Sequence, residues 1–333
     1  MAFQNVFTHG NLVDVNVSMW TGERRLQAED LGLDKKKVSG AFTLGRKKLI
    51  PPEEIGKFKH FDYKARVILE RYSFQFQFGG ARFVPKKAFM EFVEEMDALI
   101  KEYNQAADEF TEKYPKLKLE MRKWYLDAAK QAHKRMCSIR GYDVDETRFI
   151  NKYLERVDKF YPNESDIRRK FNMEYLVFRM SLPDLSQANY GDLAEENEKI
   201  KLMEAAYQRS LQKKVEAFVD KIVEDLRKKA ATVLERVATV CHSTGKVLGS
   251  SWNSIHDLIA EYERMNIVGD DRFEGMLKAF QKDYLQKYTT KQVRDDRSIQ
   301  LKFYKELKRL ADFAIDHVEI ATIADNYRRR INL

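Results

Sequence analysis

Proline and cysteine are scarce. The 333 residues contain six prolines and two cysteines, and no proline follows Pro183. Two thiols, Cys137 and Cys241, are too few for a disulfide framework, so a reducing, cytoplasmic setting is the default expectation. No run of eighteen apolar residues occurs, which excludes an ordinary membrane-spanning helix from the expected architecture. The first residues, MAFQNVFTHGNLVDVNV, lack the basic segment and apolar core of a secretory signal. Acidic residues are short in the first 90 positions, where 16 Lys/Arg stand against 9 Asp/Glu, a net +7 out of a total of +8. Glycine is short beyond position 80, since eight of the 14 lie in the first 80 residues. These asymmetries predict a basic, turn-rich α+β segment over residues 1–85. A helical region follows over 86–190, and a long-helix bundle over 191–333.

What is abundant is helical periodicity. From Asp192 to Val240 no Pro or Gly interrupts the chain. Apolar residues recur at Ile200, Met203, Tyr207, Leu211, Val215, Phe218, Ile222, Leu226, Ala230, Val233, Val237 and Val240, a mean step of about 3.6. Ile200, Leu211, Ile222 and Val233 sit eleven apart, a repeat that drifts slightly right-handed. A helix over 192–240 would span about 73 Å. The remaining faces carry charge, including Glu195, Glu196, Glu198, Lys213, Lys214, Asp225 and Arg227. Such a helix is not stable alone. It must lay its stripe on other helices of the chain or on a second copy.

Elsewhere the pattern is mixed. Val13, Val15 and Val17 alternate with polar residues in a half-buried strand over 11–20. A short helix is expected from Thr21 to Gly32, an extended segment over 41–50, and a helix from Pro51-Pro52 to about Tyr72. Phe74, Phe76 and Phe78 alternate with glutamine ahead of Gly79-Gly80. This reads as a β-hairpin over 74–84, its three rings on one face. Helices are predicted from Lys86 to about Lys113 and, after a break at Pro115, from 116 to 138. Another is capped by Asp143 or Asp145. A short strand lies near 173–180. After Val240, helices resume at Ser254, at Asp270 or Asp271, and near Arg294. The last is read as one long element antiparallel to the central helix.

The chemistry is thin. A phosphate-binding loop ending at Gly245-Lys246 would need Gly at 240 and Ser or Thr at 247, where Val240 and Val247 stand. No two of the six histidines have H-x-x-x-H spacing. His256-Asp257 and Asp184 are the footholds of a metal-dependent hydrolase, without further ligands in view. No cofactor and no catalytic residue is expected. The hairpin rings are packing positions in the plainer reading. In the functional reading, Phe74, Phe76 and Phe78 stack on bases while Lys47, Lys48, Arg66, Arg71, Arg82, Lys86 and Lys87 hold phosphate.

Four segments carry a resemblance. They are Trp20-Thr21-Gly22-Glu23-Arg24-Arg25-Leu26, Ala28-Glu29-Asp30-Leu31-Gly32, Gly45-Arg46-Lys47-Lys48-Leu49-Ile50-Pro51 and Phe78-Gly79-Gly80-Ala81-Arg82-Phe83-Val84-Pro85. The chain resembles an uncharacterised family of tailed-bacteriophage and mobile-element proteins, a domain of unknown function. The resemblance implies a phage-encoded cytoplasmic protein, often encoded near a MoxR-like AAA+ ATPase, and brings no catalytic residues. The expectation is a non-enzymatic, mostly α adaptor with an elongated coiled-coil bundle and a small basic head. It would self-associate through its long helices. The helix-packing stripe is Ile200, Leu211, Val215, Phe218, Ile222, Leu226, Val233 and Val237, laid on other helices of the chain in the plainer reading. An ATPase or host protein is the expected partner. Nucleic-acid binding by the basic head is the alternative, and no membrane role is expected.

Overall fold

The computed structural model describes residues 6–31, 33, 44–76, 80–140, 145–179, 194–244 and 247–331. The chain is 75% helical with a small antiparallel sheet. It divides into two compact units. Unit 1 comprises Met1–Asp14, Leu69–Phe92 and Leu176–Leu333; unit 2 comprises Val15–Ile68 and Val93–Tyr175.

Strand β1 (Gly10–Ser18) lies in a four-stranded sheet of order β4-β5-β1-β6, with β4 at Phe74–Gln75, β5 at Arg82–Pro85 and β6 at Asn172–Phe178. In unit 1, Gly10 pairs with Pro85 and Leu12 with Phe83. A Cβ at Gly10 would lie 2.4 Å from the Val84 carbonyl oxygen, so only glycine fits there. Phe74 and Phe76 are buried, and the Phe76 ring meets Phe218 edge-on at 4.8 Å and Phe7 at 6.0 Å. Phe78 falls outside the described residues.

Helix α1 (Pro52–Tyr72) occupies its expected span. Helix α2 (Lys86–Arg140) does not break at Pro115; one 55-residue helix passes through it. Proline removes one backbone donor. Phe110 and Tyr114, in the turns before it, are buried among Trp20 and Phe58, and Tyr125 after it is buried too; that packing offsets the loss. The expected helix over 21–32 is also absent. Glu23–Arg25 forms β2 and pairs antiparallel with β3 (Arg46–Lys48), after which Ala28–Leu31 makes a single 3-10 turn. Gly22 enters β2 at φ 60, and the Asp30 carboxylate accepts from the Gln27 N–H at 2.9 Å, so a side-chain turn displaces the helix. Helix α3 (Glu146–Asp158) is capped by Asp145, one of the two expected candidates. A single turn, α4 (Glu164–Ile167), leads through the 3-10 turn Arg168–Lys170 into β6.

Unit 1 is arranged along α5 (Ala194–Thr244), a 51-residue helix matching the uninterrupted periodicity. Helix α6 (Gly249–Met265), α7 (Asp271–Phe280) and α8 (Thr290–Asp295) lead to α9 (Arg297–Ala314) and α10 (His317–Arg330). Helices α6, α9 and α10 all pack on α5. His242 stacks on Tyr304, Arg227 reaches the Phe313 carbonyl, and Arg328 pairs with Asp220, so α9 and α10 run antiparallel to α5. The expected single C-terminal helix is two, because Asp316 caps a new start by accepting from the N–H of Val318 at 2.9 Å. Along α5, Leu211, Val215, Phe218, Ile222, Leu226 and Val237 are buried within the chain, and Val233 is half-buried. Ile200 belongs to the helix, its side chain outside the described ones.

Arg227, one of the charges the sequence assigns to the outer faces of this helix, is instead fully buried. Its guanidinium lies 4.5 Å from the Phe273 ring centre and 4.9 Å from that of Phe313. It forks onto the Asp270 carboxylate, with Nη2 to Oδ1 at 2.9 Å, while the Tyr262 hydroxyl donates to the other oxygen. Asp270 also caps α7. Arg227→Ala would leave a buried carboxylate without its cation. It should reduce unfolding free energy by about 3–5 kcal/mol in urea denaturation; a loss below about 1 kcal/mol would contradict this account.

Candidate functional site

A cleft lined by several cations lies in unit 2. The backbone after β1 turns at Trp20, which is buried edge-on against Tyr114 at 5.7 Å and lies 6.4 Å from Tyr161. Tyrosine hydroxyls then fasten the surrounding loops to the helices. Tyr103 donates to the Ser18 carbonyl at 2.6 Å, Tyr114 to Pro162 at 2.8 Å, and Tyr161 to Leu49 at 2.8 Å. Tyr125 donates to Lys48 and Tyr153 to Asp30. Burial pushes all five phenols above their ordinary value, Tyr103 and Tyr153 to about 12.

Asp30, itself buried, accepts from Lys47 Nζ at 2.8 Å and Arg156 Nη2 at 3.1 Å. This ties the 3-10 turn to β3 and α3. Lys47 Nζ also sits 4.6 Å from the centre of the Phe160 ring. Phe160 is half-buried and forms part of a wall.

Between these parts lies a cleft of about 790 Å³. Met19, Trp20, Thr21 and Arg24 line one side; Lys159 to Asn163, Asp166, Arg169 and Lys170 line the other. Four cations face one carboxylate. Arg169 approaches Asp166 at 3.8 Å with its own side chain 83% exposed, a weak pair. Arg24, Lys159 and Lys170 are exposed and form no ion pair with another described residue. Arg168 is different: it holds Asp108, Asn104 and the Phe171 carbonyl, so it orders the turn rather than facing a ligand.

The phosphate-binding candidates drawn from the sequence do not converge. Lys47 is 5% exposed and committed to Asp30, so it cannot meet a phosphate; Lys48 points to solvent from the other face of β3. Arg66 bonds to Asp62 on α1. In unit 1, Arg71 lies beside the Tyr72 ring, half-buried Arg82 donates to Ser73 Oγ at 2.7 Å, and Lys86 and Lys87 stand exposed at the start of α2. Phe74 and Phe76 are core residues, which removes them as base-stacking platforms. Among the described residues no group of three or more His, Cys, Asp or Glu is placed to hold a metal ion. Asp184 falls outside the described residues.

Residues 10–258 match the model of a family described as protein of unknown function (DUF3150). The chain belongs to this family. No curated protein and no solved structure matches it. The DUF3150 span contains the whole cleft and ends inside α6. The cleft residues Trp20, Thr21 and Arg24 fall within the Trp20–Leu26 segment that carries the resemblance.

Two outcomes test this site. Lys47→Gln should destabilise the protein by on the order of 3 kcal/mol, because Asp30 stays buried beside one fewer cation. Lys48→Gln should fall within about 0.5 kcal/mol of the parent; equal effects in urea denaturation would refute the assignment. The tyrosines add a pH dependence. Their folded-state values lie above the unfolded value near 10, so the fold favours the protonated phenol. That stabilisation is fully present below about pH 10 and is lost as the pH rises toward 12. Urea midpoints should fall over this window as phenolate absorbance grows, and Tyr153→Phe should weaken the dependence.

Proposed function

We propose that this DUF3150 protein is a non-enzymatic interaction protein that pairs with a second copy through the first part of α5. One observation carries the reading. The same helix that is buried from Leu211 onward leaves Leu202, Met203 and Tyr207 exposed, at 71%, 66% and 46%. Three large apolar side chains within six positions of one helix form a surface that water disfavours.

The composition of this stretch favours a copy of itself as occupant. Residues 195–198 contain Glu195, Glu196 and Glu198, and residues 209–214 contain Arg209 and Lys213. An antiparallel pair centred near Met203 sets each acidic end over the basic end of the other copy. That arrangement is self-complementary, as a two-fold interface requires. The pair would be a short coiled coil extending a mostly helical protein. The resemblance to phage and mobile-element proteins makes an AAA+ ATPase or a host protein the next partner, in the cytoplasm of an infected bacterium.

A second reading, nucleic-acid binding, moves from the hairpin to the unit 2 cleft, where the unpaired cations stand. The metal-dependent hydrolase has no supporting observation: His256 and Asp257 on α6 have no third ligand beside them among the described residues.

Light scattering coupled to size exclusion tests the pairing. The parent should run as a defined oligomer. Met203→Glu with Tyr207→Glu should raise the dissociation constant at least tenfold, about 1.4 kcal/mol or more, without changing circular dichroism. A parent that stays monomeric at high concentration, or an oligomer indifferent to both substitutions, would overturn the proposal.

A further inference from the structure

We infer that the unit 2 cleft binds single-stranded nucleic acid, with Arg24, Lys159, Arg169 and Lys170 on its phosphates and Phe160 beside its bases. This rests on the second reading above and is independent of self-association.

The cations come from three different elements. Arg24 is on β2, Lys159 closes the C-terminus of α3, and Arg169 and Lys170 end the 3-10 turn before β6. They are spread along the two sides of the cleft rather than gathered on one phosphate. The cleft also lacks the parts of a mononucleotide pocket. Among the described residues no glycine-rich loop lines it, and α4 is a single turn whose start offers no anion site. Distributed cations with an aromatic wall suit an extended backbone carrying unstacked bases, and any base can stack there because every base has a π face. The shape is held in advance. Tyr114 and Tyr161 fix the 161–162 corner, and Arg168 is already committed to Asp108 and Asn104. Lys47 lies 4.6 Å from the Phe160 ring centre, which orients that ring without leaving an ammonium free for phosphate.

Counterion release sets the expected behaviour. Single strands lose affinity with salt at a log–log slope of about 0.7 per neutralised phosphate, so four cations predict a slope near −3.

The test is fluorescence anisotropy of the full-length protein with a labelled oligothymidylate of about 20 nucleotides, in a salt series. The parent should bind with the slope given. Arg24→Glu, Lys159→Glu and Lys170→Glu together should weaken binding at least tenfold and flatten the slope by about 2. All three side chains are exposed, so folding should be untouched. A control with the same charge change elsewhere in unit 2, Lys57→Glu and Lys59→Glu on α1 with Lys101→Glu on α2, should stay within about twofold. The inference is overturned if the oligonucleotide does not bind at low salt, or if both triple variants lose affinity equally. It is also overturned if ATP or inorganic phosphate displaces the strand at matched ionic strength, which would make the cleft a mononucleotide or anion site. A duplex binding as tightly as the single strand would overturn it too.

Discussion

A charge taken out of water costs several kcal/mol unless a partner of opposite sign and further hydrogen bonds surround it. Unit 1 is built about one such charge. Arg227 sits at the middle of the buried face of α5 and is answered from three other places in the sequence: the Asp270 carboxylate, the Phe313 carbonyl, and the rings of Phe273 and Phe313. Apolar packing along α5 would tolerate small slips of register among α6, α9 and α10. The guanidinium does not, since moving any one of its partners strands a buried ion. Buried polarity of this sort adds less to stability than to the choice of one arrangement.

Unit 2 solves the same problem with different parts. Asp30 is its buried ion, satisfied by Lys47, Arg156 and the Gln27 N–H. Around it, tyrosines supply one polar hydroxyl each at the end of a large apolar ring, so packing and hydrogen bonding arrive in one side chain. Five backbone carbonyls receive a hydrogen bond in this way. The result is a firm floor under a cleft whose rim carries charges with little else to do.

Periodic elements were legible in the sequence because period alone defines them. The alternation at Val13 and Val15, the proline start of α1 and the uninterrupted run of α5 all lead to elements close to their expected spans. What was illegible is set by tertiary partners. Lys47 and Lys48 are identical in sequence, and only pairing of β2 with β3 decides which of them turns inward to Asp30. Pro115 reads as a stop signal until Phe110 and Tyr114 before it and Tyr125 after it are seen to anchor the helix. The cleft joins residues near position 20 to residues near position 165, a separation no local pattern reports. Even within the basic run at 168–170 the sequence does not tell the roles apart: the first arginine is structural while the next two residues line the cleft.

Helix α5 lies in two environments: from Leu211 to Cys241 one face is covered by its own chain, while Leu202, Met203 and Tyr207 stay exposed, the surface proposed above to meet a second copy. Hydrogen exchange read by mass spectrometry, at concentrations above and below the association midpoint, tests this most directly. Amides from 211 to 241 should be slow at both concentrations, because their protection comes from the intrachain core. Amides from 198 to 209 should be slow only when the protein is concentrated and should exchange rapidly on dilution, since a helix without tertiary cover frays. Equal, strong protection of both stretches in the dilute protein would contradict the account, as it would mean that the chain alone covers the whole helix.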